Sequence, residues 1–353
     1  MTGDSGAATS RRLILAGQGS VETGLGHLMR LLALGQAWSD ANGRVDALLG
    51  AAPDGVVARY VNEGFTVRHA PSATARDACL ALATELGADP SAVAAIDRPD
   101  LKTGDLDALG HAADRVLVVD DMAHLTHYPV ALVLNQNVHA DRAAYPPGAG
   151  TTYLLGIGFV LLRREFRAAV PERHIPERAR RLLLTFGGAD PTGMTRRTIA
   201  ALAAAPPALR EELEVRAIVG AAHRDDVDVT FADALRLTVE HDVGNMVSPM
   251  AWADLAVTSG GTTVWELART GCPALVVETA PAEPLLVGGL ERIGLFDRLG
   301  SASRLSDTAL RAAIERRIGD RAWRTDMARR GRELVDGQGA NNVVAALAAL
   351  DGR

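Results

Sequence analysis

Cysteine is almost missing from this chain: Cys79 and Cys272 are the only two in 353 residues, one in each half. Thiols so far apart support neither a disulfide framework nor a zinc knuckle, whose ligands recur at short spacings, and both read as buried thiols. Nowhere is there a run of the roughly 18 apolar residues that a bilayer-spanning helix requires, so no transmembrane helix is expected. Basic charge is not in excess either. With 37 Lys and Arg against 43 Asp and Glu, the formal net charge is −6, the wrong sign for a general nucleic-acid surface. Met1 to Arg12 lacks the apolar stretch of a secretory signal and reads as a short disordered tail. These absences point to a cytoplasmic protein with small-molecule partners, no nucleic-acid partner and no membrane partner. The oligomeric state is not legible.

The length exceeds what one compact core usually organises and implies two domains with a cleft between them. Short β-branched runs alternate with longer helical patterns throughout, the mark of an α/β chain built on parallel sheets. Strands are expected at Arg12 to Ala16, Val45 to Leu49, Phe65 to Arg68, Val93 to Asp97, Val116 to Asp120, Val130 to Leu134 and Tyr153 to Leu155. A second series runs through Arg181 to Phe186, Val215 to Val219, Leu237 to Glu240, Leu255 to Thr258 and Ala274 to Val277. Between the two, Arg163 to Arg180 is charged and carries Pro171 and Pro176, as an interdomain linker would. The expected domains are therefore 1–165 and 166–353, with the last helix a candidate to fold back onto the first. The pairs Arg163-Arg164 and Arg196-Arg197 read as solvated faces.

Three glycine-centred turns follow expected strands and open expected helices, where unpaired amides and the helix dipole attract phosphate. The first, Thr23-Gly24-Leu25-Gly26-His27-Leu28-Met29-Arg30, puts a histidine at the helix start. His27 reads either as a cap or as a reactive group; its position after two glycines favours the latter. The second, Gly187-Gly188-Ala189-Asp190-Pro191, reads equally well as an N-cap followed by an N1 proline. The third, Ser259-Gly260-Gly261-Thr262-Thr263-Val264-Trp265-Glu266, offers hydroxyls and amides to a diphosphate, with Glu266 placed to accept from ribose hydroxyls. Asn245 reads as a helix cap or as a contact to a nucleobase.

The blocks GLGHLMRLLALGQAW, VVDDMA, LVLNQN, LLGIGFVLLRREF, LLLTFGGADPTG and WADLAVTSGGTTVWELARTGCPALVV follow one another in order. Together they resemble the UDP-2,4-diacetamido-2,4,6-trideoxy-altropyranose hydrolases of pseudaminic acid synthesis and, more distantly, the lipid II glycosyltransferase. The resemblance implies a GT-B fold of two Rossmann-like domains facing each other across a cleft. It also implies UDP on Gly188, Asn245, Ser259, Gly260, Gly261, Thr262, Thr263 and Glu266, an active-site histidine at His27, no metal and no cofactor beyond the UDP-sugar substrate. The chain departs from the family where the family meets sugar. Ala16-Gly17-Gln18 replaces an Arg-Ala-Asp stretch, Asp97-Arg98-Pro99 replaces Asp-X-Tyr, and the stretch around Glu283 lacks an Asn-Gln pair. Gln18, Gly26, Arg30, Asp97, Arg98 and Glu283 are accordingly expected on the sugar or acceptor side.

An intact nucleotide motif beside an altered sugar side points to a UDP-sugar glycosyltransferase with a small acceptor, His27 acting as general base. Cytosylglucuronic acid synthase, joining UDP-glucuronate to cytosine in nucleoside-antibiotic synthesis, fits this outline, with Arg30 or Arg98 for the carboxylate. The alternative is the family's hydrolase, with His27 activating water. A nucleotide-sugar 2-epimerase and a non-catalytic sensor fit less well. Asp120, Asp121, His124 and His127 have metal-like chemistry, yet loop capping is the simpler reading. His139, His174, His223 and His241 receive no role.

Overall fold

The computed structural model describes residues 11–20, 24–69, 74–147, 150–168, 170, 172–220 and 235–352. Most of the expected tail, together with Thr23, Pro171 and His223, lies outside the described residues.

The chain divides into two compact units, Met1–Arg164 with Gln338–Arg353, and Glu165–Gly337. The first is built on β1 (Arg12–Gly17), β2 (Arg44–Leu49), β3 (Thr66–His69), β4 (Val93–Asp97), β5 (Val116–Val119), β6 (Leu132–Asn135) and β7 (Thr152–Leu155). They form one parallel sheet in the order β3-β2-β1-β4-β5-β6-β7. The second unit holds β8 (Arg181–Thr185), β9 (Glu214–Val219), β10 (Arg236–His241), β11 (Leu255–Ser259), β12 (Ala274–Glu278) and β13 (Asp297–Ser301). Its parallel order is β10-β9-β8-β11-β12-β13.

Sheets covered on both faces need strands apolar on both faces, which is why β4, β5, β11 and β12 are buried along their whole length. In the first unit, Ile14, Ile96 and Val118 pack with Leu82 and Tyr128; in the second, Leu184, Val257 and Leu275 pack with Ile314. Strand order reverses between β1 and β4 in one sheet and between β8 and β11 in the other. At such a reversal the flanking helices cross to opposite faces and leave a crevice beyond the carboxyl ends of the strands.

The last helix, Gly339–Ala348, belongs to the first unit, packing on the helix Gly26–Asp40 and burying Val343 and Leu347. Asn342 Nδ2 donates to the Gly158 carbonyl at 2.8 Å. A Cβ on Gly339 would stand 2.3 Å from the Val160 carbonyl oxygen, so only glycine permits this approach. The two buried apolar side chains contribute on the order of 1.5–3 kcal/mol each.

Three sequence expectations change. β13 had no counterpart among the expected strands. Arg163 is buried, so it is no part of a solvated face, whereas Arg164 is exposed and pairs with Asp40 at 2.8 Å and Glu63 at 2.5 Å. Arg197 likewise bonds Asp307 at 2.6 Å and the Ala302 carbonyl at 2.7 Å, whereas Arg196 is exposed. Guanidinium groups with five fixed donors find acceptors at element ends, which composition alone does not reveal.

Candidate active site

In the first unit, β1 ends at Gly17, directly beside Asp97 at the end of β4. After β1 the chain returns through Gly24, and His27 is the second residue of the helix Gly26–Asp40. Leu25 is the N-cap residue and His27 lies inside the first turn, so His27 does not act as the cap. Its Nδ1 instead lies 2.8 Å from Asp97 Oδ1, a partner 70 residues away in sequence.

Asp97 is buried, and its second oxygen accepts from Arg30 Nε; Arg30 Nη2 reaches Oδ1 at 2.9 Å. Burial raises the carboxyl, but the charges of Arg30 and His27 outweigh it and hold Asp97 at about 2. An ionised carboxylate only accepts hydrogen bonds, so the short contact requires the proton on Nδ1 and leaves Nε2 of the neutral ring as a base. The same argument assigns the 3.1 Å approach of Arg30 Nη2 to Nδ1 as two donors converging on Asp97 rather than a bond between them. The His27 side chain is 21% exposed and that of Asp97 only 1%, so the imidazole is reachable while its partner is not.

Arg30 holds a second carboxylate: Nη1 donates to Asp121 Oδ2 at 2.7 Å. Burial disfavours its charge, yet Asp121 and Asp97 overcome this and push the guanidinium further toward the charged form. Asp121 Oδ1 accepts from Asn137 Nδ2 at 2.6 Å, and Asn135 Oδ1 accepts from the Asn137 backbone and side chain at 3.0 Å. Asn135 in turn meets the Tyr145 hydroxyl at 3.0 Å. The sequence reading gave Asp121 only loop capping and assigned no role to Asn135, Asn137 or Tyr145. The signal for Asp121, Asn135 and Asn137 was the polar ending of two apolar strands, in VVDD and LVLNQN.

The two arginines expected to meet a sugar carboxylate are both committed to aspartates. Arg30 is buried between Asp97 and Asp121, and Arg98 is buried in a bidentate pair with Asp100 at 2.9 and 2.8 Å. Gln18 leans toward the same Asp100 at 3.4 Å. Gly26 opens the helix that carries His27. Asp120 accepts from the Met122 amide at 2.9 Å, from His124 Nδ1 at 3.0 Å and from the Tyr128 hydroxyl, while His127 reaches Asp107 at 3.2 Å. Asp120 is thus the organiser of its own loop. Among the described residues no three His, Cys, Asp or Glu side chains gather as metal ligands would.

In the second unit the two remaining glycine turns leave adjacent strands, β8 and β11. A Cβ on Gly187 would lie 3.7 Å from Ser259 Oγ, so the turn carrying Gly188 and the Ser259 turn adjoin. Asp190, in the left-handed region at φ 43°, accepts from the Met194 and Thr195 amides at 2.9 and 2.7 Å. It satisfies the start of the helix Met194–Ala203; Pro191 precedes that helix and does not hold its first position. The helix Thr263–Thr270 begins after Thr262, which makes no side-chain cap bond, and Glu266 lies in its first turn. An added Cβ on Gly260 would come within 2.5 Å of Val287 Cγ2, so the Gly260-Gly261 turn is pressed against the helix Glu283–Arg292.

Glu283 is turned onto this same turn. It accepts from the amides of Thr279 at 2.5 Å and Ala280 at 3.2 Å, and also from the Gly260 amide. Burial pushes its carboxyl above the ordinary range, and those amides oppose the rise. The carboxylate expected to face sugar is therefore bonded to its own loop. Asn245 is exposed, and its Oδ1 accepts from the Val247 amide at 3.0 Å, capping the helix Val247–Trp252.

Two parallel α/β units, each with its distinctive residues at the reversal of strand order, make this a GT-B-type fold. No family model matches the chain. Among characterised sequences it is similar to the spore coat polysaccharide biosynthesis protein SpsG of Bacillus subtilis strain 168, 24% identical over 197 residues, 55% of this chain and 58% of that protein. The chain spans a little over half the length of the curated relatives it matches. Among solved structures it is similar to MurG of Acinetobacter baumannii, with TM-score 0.61, 16% identity and coverage of 95% of this chain and 98% of that one. It is also similar to the spinosyn rhamnosyltransferase SpnG complexed with thymidine diphosphate, with TM-score 0.58, 16% identity and coverage of 94% and 98%. No helix among the described residues is long and apolar enough to cross a membrane.

Proposed function

We propose that this protein is a UDP-sugar glycosyltransferase acting on a small acceptor, with His27 as its general base. The observation that carries the reading is the His27–Asp97–Arg30 arrangement at the strand reversal, which leaves Nε2 of a reachable imidazole as the proton acceptor. In the reaction, Nε2 takes the proton of an acceptor O–H or N–H as that atom bonds to the anomeric carbon of the donor. The bond from that carbon to the diphosphate oxygen breaks and UDP departs. Asp97 stabilises the imidazolium and keeps the ring in the productive tautomer. The Ser259–Thr263 turn, its glycines and first-turn amides pointing to anion binding, receives the diphosphate, and Glu266 the ribose. Supporting this, the similar SpnG was crystallised with thymidine diphosphate, and MurG and SpnG share the fold.

Within this class we propose transfer from UDP-glucuronate to cytosine. Arg30 and Arg98 are both held by aspartates, so the glucuronate carboxylate is met by another cation. Hydrolysis, with water in place of the acceptor, uses the same base and is distinguished by products. A mass-spectrometric assay with UDP-glucuronate and UDP-N-acetylhexosamines, each with and without cytosine and related acceptors, is the test. UDP release that depends on acceptor and yields a conjugate is expected. Release of free sugar without acceptor, particularly from a 2,4-diacetamido donor, would make the protein a hydrolase.

A further inference from the structure

We propose that Asp121 is a positioning residue for His27, acting through Arg30: it fixes the guanidinium that clamps Asp97, and its charge offsets that of Arg30 beside the imidazole. The inference rests on His27 as the base. A buried guanidinium facing one carboxylate and one imidazole could pivot about the Asp97 contact. The second bond, Nη1 to Asp121 Oδ2 at 2.7 Å, removes that freedom. Asp121 is itself held by Asn137 at 2.6 Å, and Asn137 by Asn135, whose amide donates to the Asp121 carbonyl at 3.1 Å. The chain from β6 through Asp121, Arg30 and Asp97 to the ring of His27 is thus continuous and bonded at each step.

The charges facing this ring come from three directions. Asp97 ends β4, Arg30 lies one turn along the ring's own helix, and Asp121 follows β5. From the helix Asp54–Asn62 comes Tyr60, whose buried hydroxyl donates to the Leu28 carbonyl at 2.5 Å; burial and Asp97 keep that phenol neutral. With His27 neutral the group carries one net negative charge, which favours formation of the imidazolium during proton transfer. Without Asp121 it would carry none.

The experiment is a nitrogen-15 titration of the histidine rings in the full-length protein, with His27→Gln identifying the His27 signals. It needs no substrate. In the wild type the neutral His27 ring is expected to carry its proton on Nδ1. Asp121→Asn, whose one amide oxygen cannot accept from both Arg30 and Asn137, should populate the second tautomer and lower the titration midpoint by about one pH unit, the change for one unit charge a few ångströms beyond a guanidinium at an effective dielectric of ~20–80. Asn137→Ala, which loosens Asp121 without removing charge, should leave the midpoint in place and populate the second tautomer. This second variant also covers the case in which Asp121→Asn does not fold. A midpoint unmoved in folded Asp121→Asn, or a wild-type tautomer ratio in Asn137→Ala, would overturn the proposal. Turnover of His27→Ala separates this from the parent reading: an active variant removes the base and this inference with it, whereas an inactive one leaves the titration to decide.

Discussion

Replacing Asp97 by asparagine removes one charge from the centre of the site, and its effects follow from the bonds. The amide can present its NH2 group to Nδ1, so the ring proton moves to Nε2 and the base is lost. A general base contributes on the order of 10²- to 10⁴-fold, and kcat should fall by that much with KM little changed. Stability should fall as well. The carboxyl is held at about 2 against an ordinary value of 3.8, a depression of nearly two pH units, or about 2 kcal/mol. Removing one partner of a buried pair costs about 3–5 kcal/mol in general, but Arg30 keeps Asp121, so the lower end of that range applies. A loss of about 2 to 3 kcal/mol corresponds to a Tm lower by roughly 5–10 °C. The sign with pH is definite: a depressed carboxylate stabilises above its unfolded-state value and loses that contribution as pH falls toward 2. The gap in Tm between wild type and Asp97→Asn should therefore be full at pH 7 and close as pH drops below about 4. Steady-state kinetics and calorimetry across that range make the test. A variant with wild-type kcat would show that Asp97 does not orient the ring, and a Tm gap that is the same at low pH would show that its charge does not stabilise the fold.

Gly260→Ala should drive a methyl into Val287 and displace the diphosphate turn, costing about 1–3 kcal/mol and at least ten-fold in UDP affinity, measured by calorimetric titration. Glu283→Gln should remove a carboxyl that burial holds above its ordinary value. Because the folded state retains that proton to higher pH, the wild type loses stability as pH rises through the carboxylate range, and the variant should show a shallower decline in unfolding free energy. Gly339→Ala should dislodge the last helix from Val160 and lower the Tm, with limited proteolysis releasing the C-terminal segment sooner than in the wild type.

The parts of the fold legible in the sequence were those with unmixed apolar runs. LILA, VLVV and LAVTS are buried on both faces and announce themselves, whereas DRLGS of β13 lies at the sheet edge, half-exposed and polar, with no periodic signal. Within the candidate site, His27 was legible because the glycines before it are unusual, but its partner was not. Asp97 meets His27 because β4 skips β2 and β3 to lie beside β1, a consequence of strand order that no local pattern records. Arg30 and Asp97 were both expected near substrate; they lie beside His27 and are bonded to each other. Glu283 was expected to face sugar because it replaces polar family residues there, yet amides at the start of its own helix are its closest donors.

The central claim is that His27 removes a proton during transfer from a UDP-sugar and takes no part in holding the nucleotide. Its most direct test is to measure turnover and UDP affinity side by side for the wild type and His27→Ala. His27→Ala should lose turnover on the order of 10²-fold or more with UDP affinity within about two-fold of the wild type. Retained turnover, or a loss explained entirely by weaker UDP binding, would contradict it.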